Sequence, residues 1–258
     1  MILEGRSISI GKAEGTVLKL NEPFSFLGGV DGSTGDLRVG NKENMAGKIL
    51  VFPIGKGSTV GSFTMYDLKV HEKQPAAVVN RTAETIVTTG AVISSIPMID
   101  HIDVDLIRNG DFMIVDATYG TAELPEIRLV ESASSAILVN GKVLMLKRPD
   151  TALSFPGRWS LVAGKMEKGE SPEETAVREI TEETGITVGK PMAKLTPMLI
   201  REGNIIWKVH TFLFRLDSAD PVLNAENVEF EWVLPEDIHP DQTVSLTREA
   251  VMELIKLG

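Results

Sequence analysis

Apolar positions follow two different rhythms along this chain, and the change comes near its middle. In the first half they gather in short β-branched runs bounded by turn residues. GTVLKL (15–20), KILVFPI (48–54), AAVV (76–79), PMIDHI (97–102) and DFMIVDAT (111–118) each predict a strand. Between them, GGVDGSTGD (28–36) predicts a loop, and TAETIVTTGAVISSI (82–96) predicts a helix with Thr82 or a neighbour as N-cap. Strands interspersed with one or two helices predict a small barrel, or a sheet with helices on it.

Beyond residue 126 the signals are longer and sharper. SAILVNGKVLMLKR (135–148) predicts a hairpin turning at Asn140-Gly141, since both turn positions need positive φ. SPEETAVREITEETGI (171–186) predicts a helix. Ser171 is its N-cap, Pro172 its first residue, Glu174 completes a capping box and Gly185 ends it. IIWKVHTFLFRL (205–216) and EFEWVL (229–234) predict strands, and TREAVMELIKLG (247–258) an amphipathic helix. Trp159, Trp207 and Trp232, the chain's tryptophans, all lie in this half. YGTAELPEI (119–127) reads as a short join centred on Pro125, so the expected domains are 1–124 and 127–258, in fixed contact rather than on a flexible tether.

Composition narrows the chemistry. Neither half has the basic excess that nucleic-acid binding needs, with 11 basic against 16 acidic residues up to residue 126 and 15 against 20 beyond it. No run approaches a membrane span and no signal peptide is evident, which predicts a soluble, cytoplasmic protein with no membrane or nucleic-acid partner. Cysteine is absent, so this chain has no disulfide, no thiolate nucleophile and no cysteine ligand for a metal cluster.

The strongest chemistry lies in residues 164–186. Glu179, Glu182 and Glu183 stand at i, i+3 and i+4, which puts three carboxylates on one helical face. They repel one another unless a hard divalent cation lies among them. A solvated acidic face is the plainer explanation, but it leaves Arg178 beside Glu179 and the glycines at both ends unexplained. The run resembles the signature of the Nudix hydrolases: Gly, five residues, Glu, seven residues, Arg-Glu, an aliphatic, any residue, Glu-Glu, any residue, Gly, an aliphatic. Gly164, Glu170, Arg178, Glu179, Ile180, Glu182, Glu183, Gly185 and Ile186 meet every constrained position, a coincidence on the order of 10⁻⁹ per start position at average residue usage.

The resemblance implies an α/β/α sandwich with a mixed sheet and Mg²⁺- or Mn²⁺-dependent hydrolysis of a diphosphate-linked substrate. It implies Glu179, Glu182 and Glu183 as metal ligands, with Glu179 and Glu182 catalytic and Glu170 and Arg178 supporting them. Glu226 or Glu229, ahead of Trp232, matches the family's further acidic group. Val162-Ala163-Gly164 departs from the Pro-Gly-Gly that often precedes the motif, although the Ala163 carbonyl can still face a metal. Phe155, Arg158, Trp159 and Trp207 are either stacking groups for a base or ordinary core.

The first half has its own constellation. A strand runs into Gly55-Lys56-Gly57-Ser58-Thr59, and a helix is expected from Gly61 or Ser62. This is no P-loop, because Gly57 rather than Ser or Thr follows Lys56. Such a turn still offers backbone N–H groups and a helix dipole to an anion; the plainer reading of the bare loop makes Ser58 or Ser62 an ordinary helix cap. With GKAEGTVLKLNEPFSFLGGVDGSTGDL, AAVVNRTAETIVTTGAVISSIPMID and NGDFMIVDAT around it, the segment AGKILVFPIGKGSTVGS is similar to the small subunits of aconitase X-type hydro-lyases, in particular the archaeal phosphomevalonate dehydratases.

That resemblance implies a swivelling β/β/α barrel-like domain and dehydration of (R)-5-phosphomevalonate to trans-anhydromevalonate 5-phosphate, in an archaeal mevalonate route to isoprenoids. Ser58 is then the proton acceptor, and Gly55, Lys56 and Gly57 bind substrate. A cysteine-bearing large subunit forms a heterodimer with it and carries the iron–sulfur cluster. Asp31, Asn80 and Arg81 are candidate substrate contacts. The expected whole is an α/β protein of two domains, a lyase subunit joined to a hydrolase. The alternative makes the first half a non-catalytic docking or regulatory module.

Overall fold

Strands next to each other in the chain stand at opposite ends of the first sheet. β1 (Ile2–Glu4) and β2 (Arg6–Ser9) are separated by Gly5 alone. The others are β3 (Lys12–Lys19), β4 (Ile49–Ile54), β5 (Ala77–Thr82), β6 (Met98–Asp100), β7 (Phe112–Asp116) and β8 (Thr121–Glu123). Their order is β1-β8-β7-β3-β4-β5-β6-β2. In a flat sheet, neighbours about 4.8 Å apart would leave β1 and β2 roughly 34 Å from each other, far beyond the reach of one residue. The sheet is therefore rolled, and Gly5 lies at its seam. A side chain there would collide with the Asp100 carbonyl, and the Gly5 N–H donates to Gly120 O at 2.8 Å.

The computed structural model describes residues 1–40 and 42–258, in two units, Met1–Arg128 and Leu129–Gly258. In the first unit β3, β4, β5 and β6 run parallel and the remaining pairs are antiparallel. A short, kinked turn, α1 (Phe26–Gly29), follows β3. α2 (Val60–Val70) and α3 (Thr85–Ile93) connect the parallel strands. Met65, Leu68, Val87 and Ala91 from these helices pack against Leu50, Phe52 and Val78 of the sheet.

Three local expectations change. α2 starts at Val60. The N-cap of α3 is Glu84, whose carboxylate accepts Ile86 N–H at 3.0 Å, because Thr82 is still the last residue of β5. The join at 119–127 contains β8, which pairs with both β1 and β7.

The second unit is built on β9 (Arg128–Val139), β10 (Lys142–Lys147), β11 (Trp159–Ser160), β12 (Val162–Lys165), β13 (Ala193–Lys194), β14 (Met198–Glu202), β15 (Ile205–Leu216) and β16 (Glu229–Val233). Two-residue alternation sorts the core onto two faces. On one face, α4 (Pro172–Thr184) lays Ala176 and Ile180 on Ala133, Ile137, Leu144 and Phe212. On the other, α5 (Thr247–Leu257) lays Val251 and Leu254 on Ala136, Leu138, Val143 and Leu213. The result is an α/β/α sandwich. Among the described residues no helix is long and apolar enough to cross a membrane.

Candidate functional site

In the first unit β4 ends at Ile54 and the chain bends sharply into α2. Gly55 is buried, and a side chain there would strike Val87. Lys56 N–H donates to Phe24 O at 2.9 Å, which ties the loop to the segment before α1. Gly57 has φ 112°, and a Cβ there would lie 2.5 Å from Ser25 Oγ. This combination of conformation and close approach suits glycine.

Lys56, Gly57, Ser58 and Thr59 are all exposed. The N–H groups of Gly57, Ser58 and Thr59 make no backbone hydrogen bond among the described residues, since the first bond of the turn is Gly61 N–H to Ser58 O. Ser62 is no cap, because its hydroxyl donates back to Thr59 O at 2.8 Å. Ser58 Oγ takes only a long 3.4 Å contact from Val60 N–H. Val60 and Phe63 at the start of α2, with Leu27 of α1, are exposed apolar groups near this loop, and Tyr66 and Val70 continue the exposed side of α2 away from it.

The other candidates here are held by the fold. Asp31 binds Ser33 and Arg38, and those partners hold its carboxyl far below the usual carboxylate range. Arg81 pairs with Asp105 at 2.6 Å. Asn80 is buried, donating to Phe52 O.

In the second unit the capping box forms as its sequence dictates. Ser171 Oγ accepts Glu174 N–H, and the Glu174 carboxylate accepts Ser171 N–H at 2.8 Å. Gly185, at φ 67°, closes the helix. α4 thus directs its carboxylates toward β12. Gly164 passes so near that any Cβ would overlap the Glu179 carboxyl group.

Arg178 is the hub. It grips Glu170 in a fork, with Nε 2.7 Å and Nη2 3.0 Å from the two oxygens. Its Nη1 reaches Glu179 at 2.7 Å and Glu182 at 3.0 Å, and Nη2 donates to Lys165 O at 3.1 Å. The Arg178 fork, the Glu167 N–H and the Thr175 hydroxyl hold Glu170 at about 2. Burial pushes Glu179 up, and the charges of Glu182 and Glu226 add to that, against the pull of Arg178. Burial also pushes Glu183 up to about 8. Asn227 opposes by donating to it at 2.9 Å, while Glu179 and Glu226 reinforce the rise.

Carboxylate oxygens that are buried, mutually repelling and under-compensated are the donor set a hard divalent cation takes. The residues fit such an ion. Among the described residues no three carboxylates converge on one point, because Arg178 and Asn227 take up their oxygens.

A cavity of about 590 Å³ opens beside these groups. Arg178, Glu179, Glu182 and Glu226 line it, whereas Glu229 lies outside and pairs with Lys147 at 3.6 Å. Phe155 and Trp207 also line it. Trp159 packs into the α5 core instead, and Arg158 donates to the Asp241 carbonyl. Asn227, which donates to Glu183, and Arg148, which lines the cavity, were not expected at this site. A buried amide next to the Glu226 position is the only cue the sequence offers for the first, and none marks the second.

The family of the aconitase X swivel domain matches residues 2–124, and that of the NUDIX domain matches residues 130–254. The phosphomevalonate dehydratase small subunit of Thermococcus kodakarensis is 51% identical over 133 residues, covering 49% of this chain and 98% of that protein. Among solved structures, holo aconitase X of Thermococcus kodakaraensis is 50% identical with TM-score 0.47, covering 48% of this chain and 98% of that one. A MutT protein from Methanosarcina mazei is 25% identical with TM-score 0.46, covering 51% of this chain and 96% of that one.

Proposed function

Because this chain belongs to the aconitase X swivel-domain family through residues 2–124 and carries a Nudix hydrolase domain through residues 130–254, we propose that it is bifunctional. Its first half, taken as residues 1–124, is the small subunit of a hydro-lyase that converts (R)-5-phosphomevalonate to trans-anhydromevalonate 5-phosphate. Its second, 127–258, is a Nudix hydrolase of a diphosphate-linked substrate. Its proposed compartment is the cytoplasm.

For the dehydratase, the supporting observation is a half-site on an open surface. Ser58 is exposed beside unbonded N–H groups, with Lys56 adjacent and an apolar border around them. Ser58 takes the proton from the carbon next to the substrate carboxylate. Serine is a weak base unless its alkoxide is stabilised, and the N–H groups of residues 57–59 together with the Lys56 ammonium supply that stabilisation. Gly55 and Gly57 let the backbone come close to the substrate. An iron–sulfur cluster on a cysteine-bearing large subunit supplies the Lewis acid for the departing hydroxyl. The test is anaerobic reconstitution with that subunit, following the anhydro product. Ser58→Ala should still assemble but lose most turnover. Wild-type turnover in Ser58→Ala would overturn the role, and a wild-type pair without activity would favour the docking-module reading.

For the hydrolase, the supporting observation is the buried pair Glu179 and Glu183 with exposed Glu182 and Glu226 near them, next to a ligand-sized cavity. Glu179, Glu182 and Glu183 would hold Mg²⁺ or Mn²⁺, with Glu226 as the further acidic group. Arg178, clamped by Glu170, positions Glu179 and Glu182. A bound divalent cation would neutralise the diphosphate oxygens and polarise the attacking water. The full chain with Mg²⁺ should release phosphate or a monophosphate from a panel of nucleoside and isoprenoid diphosphates, and chelation should stop it. Turnover that survives chelation would refute the metal site.

A further inference from the structure

Glu226 and Asn227 are neighbours in the chain, yet the fold sends them to opposite environments. Glu226 is exposed and lines the cavity, while Asn227 is only 7% exposed. The loop that carries them is fastened at both ends. A helix leaves its last carbonyls without partners of its own. Here the loop supplies them, with Val222 N–H donating to Thr184 O at 2.8 Å and Asn224 N–H to Glu183 O at 3.3 Å. Past Asn227, Val228 N–H donates to Lys147 O of β10 at 2.9 Å. Between these anchors Asn224 Oδ1 accepts Glu226 N–H at 2.9 Å and fixes the turn.

Inside this bracket the Asn227 amide meets one atom of the acidic motif. Its Nδ2 donates to Glu183 Oε2 at 2.9 Å, and Glu183 is itself only 3% exposed. Oε2 is thus engaged, and Oε1 is the oxygen left for a cation. An amide can donate here without adding charge, whereas an ionised carboxylate at 227 could only accept and would repel Glu183.

Divalent cations differ in what they ask of a carboxylate. Ca²⁺ takes about six to eight oxygens in flexible geometry and accepts both oxygens of one carboxylate, whereas the smaller Mg²⁺ demands near-octahedral geometry. We propose that Asn227 is a positioning residue that sets the ion preference of the motif. By occupying Oε2 it confines Glu183 to ligation through one oxygen, which suits Mg²⁺ or Mn²⁺ and handicaps Ca²⁺. This rests on the hydrolase reading of the same carboxylates.

The test is electron paramagnetic resonance of Mn²⁺ titrated into the full chain, which reports binding without turnover, followed by displacement with Mg²⁺ or Ca²⁺. In the wild type, Mg²⁺ should displace Mn²⁺ at a lower concentration than Ca²⁺ does. Asn227→Leu, similar in size but without a donor, and Asn227→Ala should each shift that ratio about tenfold toward Ca²⁺, the scale on which groups behind a metal ligand alter affinity. An asparagine that only holds the loop in place would weaken both ions alike when replaced. Wild-type protein that binds Ca²⁺ as well as Mg²⁺, or better, overturns the proposal and needs no variant to show it. So does an unchanged ratio in a variant whose melting curve shows it folded. In both cases bound Mn²⁺ leaves the hydrolase reading standing. Wild-type protein that binds no Mn²⁺ overturns that reading and the ion preference together.

Discussion

Arg178 meets Glu170, Glu179 and Glu182 at once, and its guanidinium decides what each can do. These carboxylates hold its pKa above the ordinary arginine value, so it stays charged at any working pH. Glu170 is committed to clamping it. Glu179 is held from the other side by the bare backbone of Gly164. Glu182 is the exposed member, with 57% of its side chain accessible. We therefore expect Glu182→Gln to fold and melt like the wild type yet lose about 10²-fold or more in Mg²⁺-dependent hydrolysis, the scale seen when groups around a metal are altered. Phosphate release and a melting curve on the same preparation would decide it. Full activity in that variant would remove Glu182 from the metal site.

At the scale of elements, Asp100 is the pin of the first sheet. Wholly buried at the end of β6, it accepts Arg6 Nε at 2.9 Å and Nη2 at 2.8 Å from β2, and Ala83 N–H at 2.9 Å ahead of α3. Burial pushes its pKa up, but Arg6 and the Ala83 N–H outweigh burial and leave it below the ordinary value. A carboxylate depressed in the folded state stabilises above its unfolded pKa, about 3.9, and that contribution is lost as pH falls through the lower folded value. The melting temperature should thus fall steeply below about pH 4. Asp100→Asn should melt lower at pH 7 and show a shallower acid fall. Parallel acid profiles for the two proteins would count against the pin.

Elements whose cues are local were legible in the sequence. Asn140 and Gly141 take the positive φ values of 49° and 79° that their turn requires, and α4 carries its own caps. β1, β2 and β8 were not, because a strand of three or four residues is defined by distant partners such as Ile2 with Glu123 and Arg6 with Asp100. The acidic motif was readable residue by residue. That Glu226 and not Glu229 lines the cavity depended on the path of the loop before β16. The place of Trp207 in the cavity lining depended on where one sheet face stops being core.

The chain as a whole carries two kinds of half-finished surface, a cavity in the second unit and an open apolar border in the first. Phe63, 68% exposed on α2 beside the Ser58 loop, has no role in the core of its own unit. Phe63→Asp should leave diphosphate hydrolysis and the melting temperature unchanged while abolishing co-purification with a larger dehydratase partner. Retained co-purification would move the docking surface away from α2. The closed sheet carries a further consequence. The Met1 ammonium donates to Leu124 O at 2.8 Å and to Ile127 O at 3.2 Å, so the chain enters and leaves its first unit through one doorway. A unit with shared entrance and exit is a cartridge. Cargo attached after Arg128 adds no detour to its wiring, and the glycine loop after β4 need not change. The grafting of a hydrolase onto this dehydratase subunit is therefore a tolerant join for evolution, and a ready position for exchanging one cargo for another.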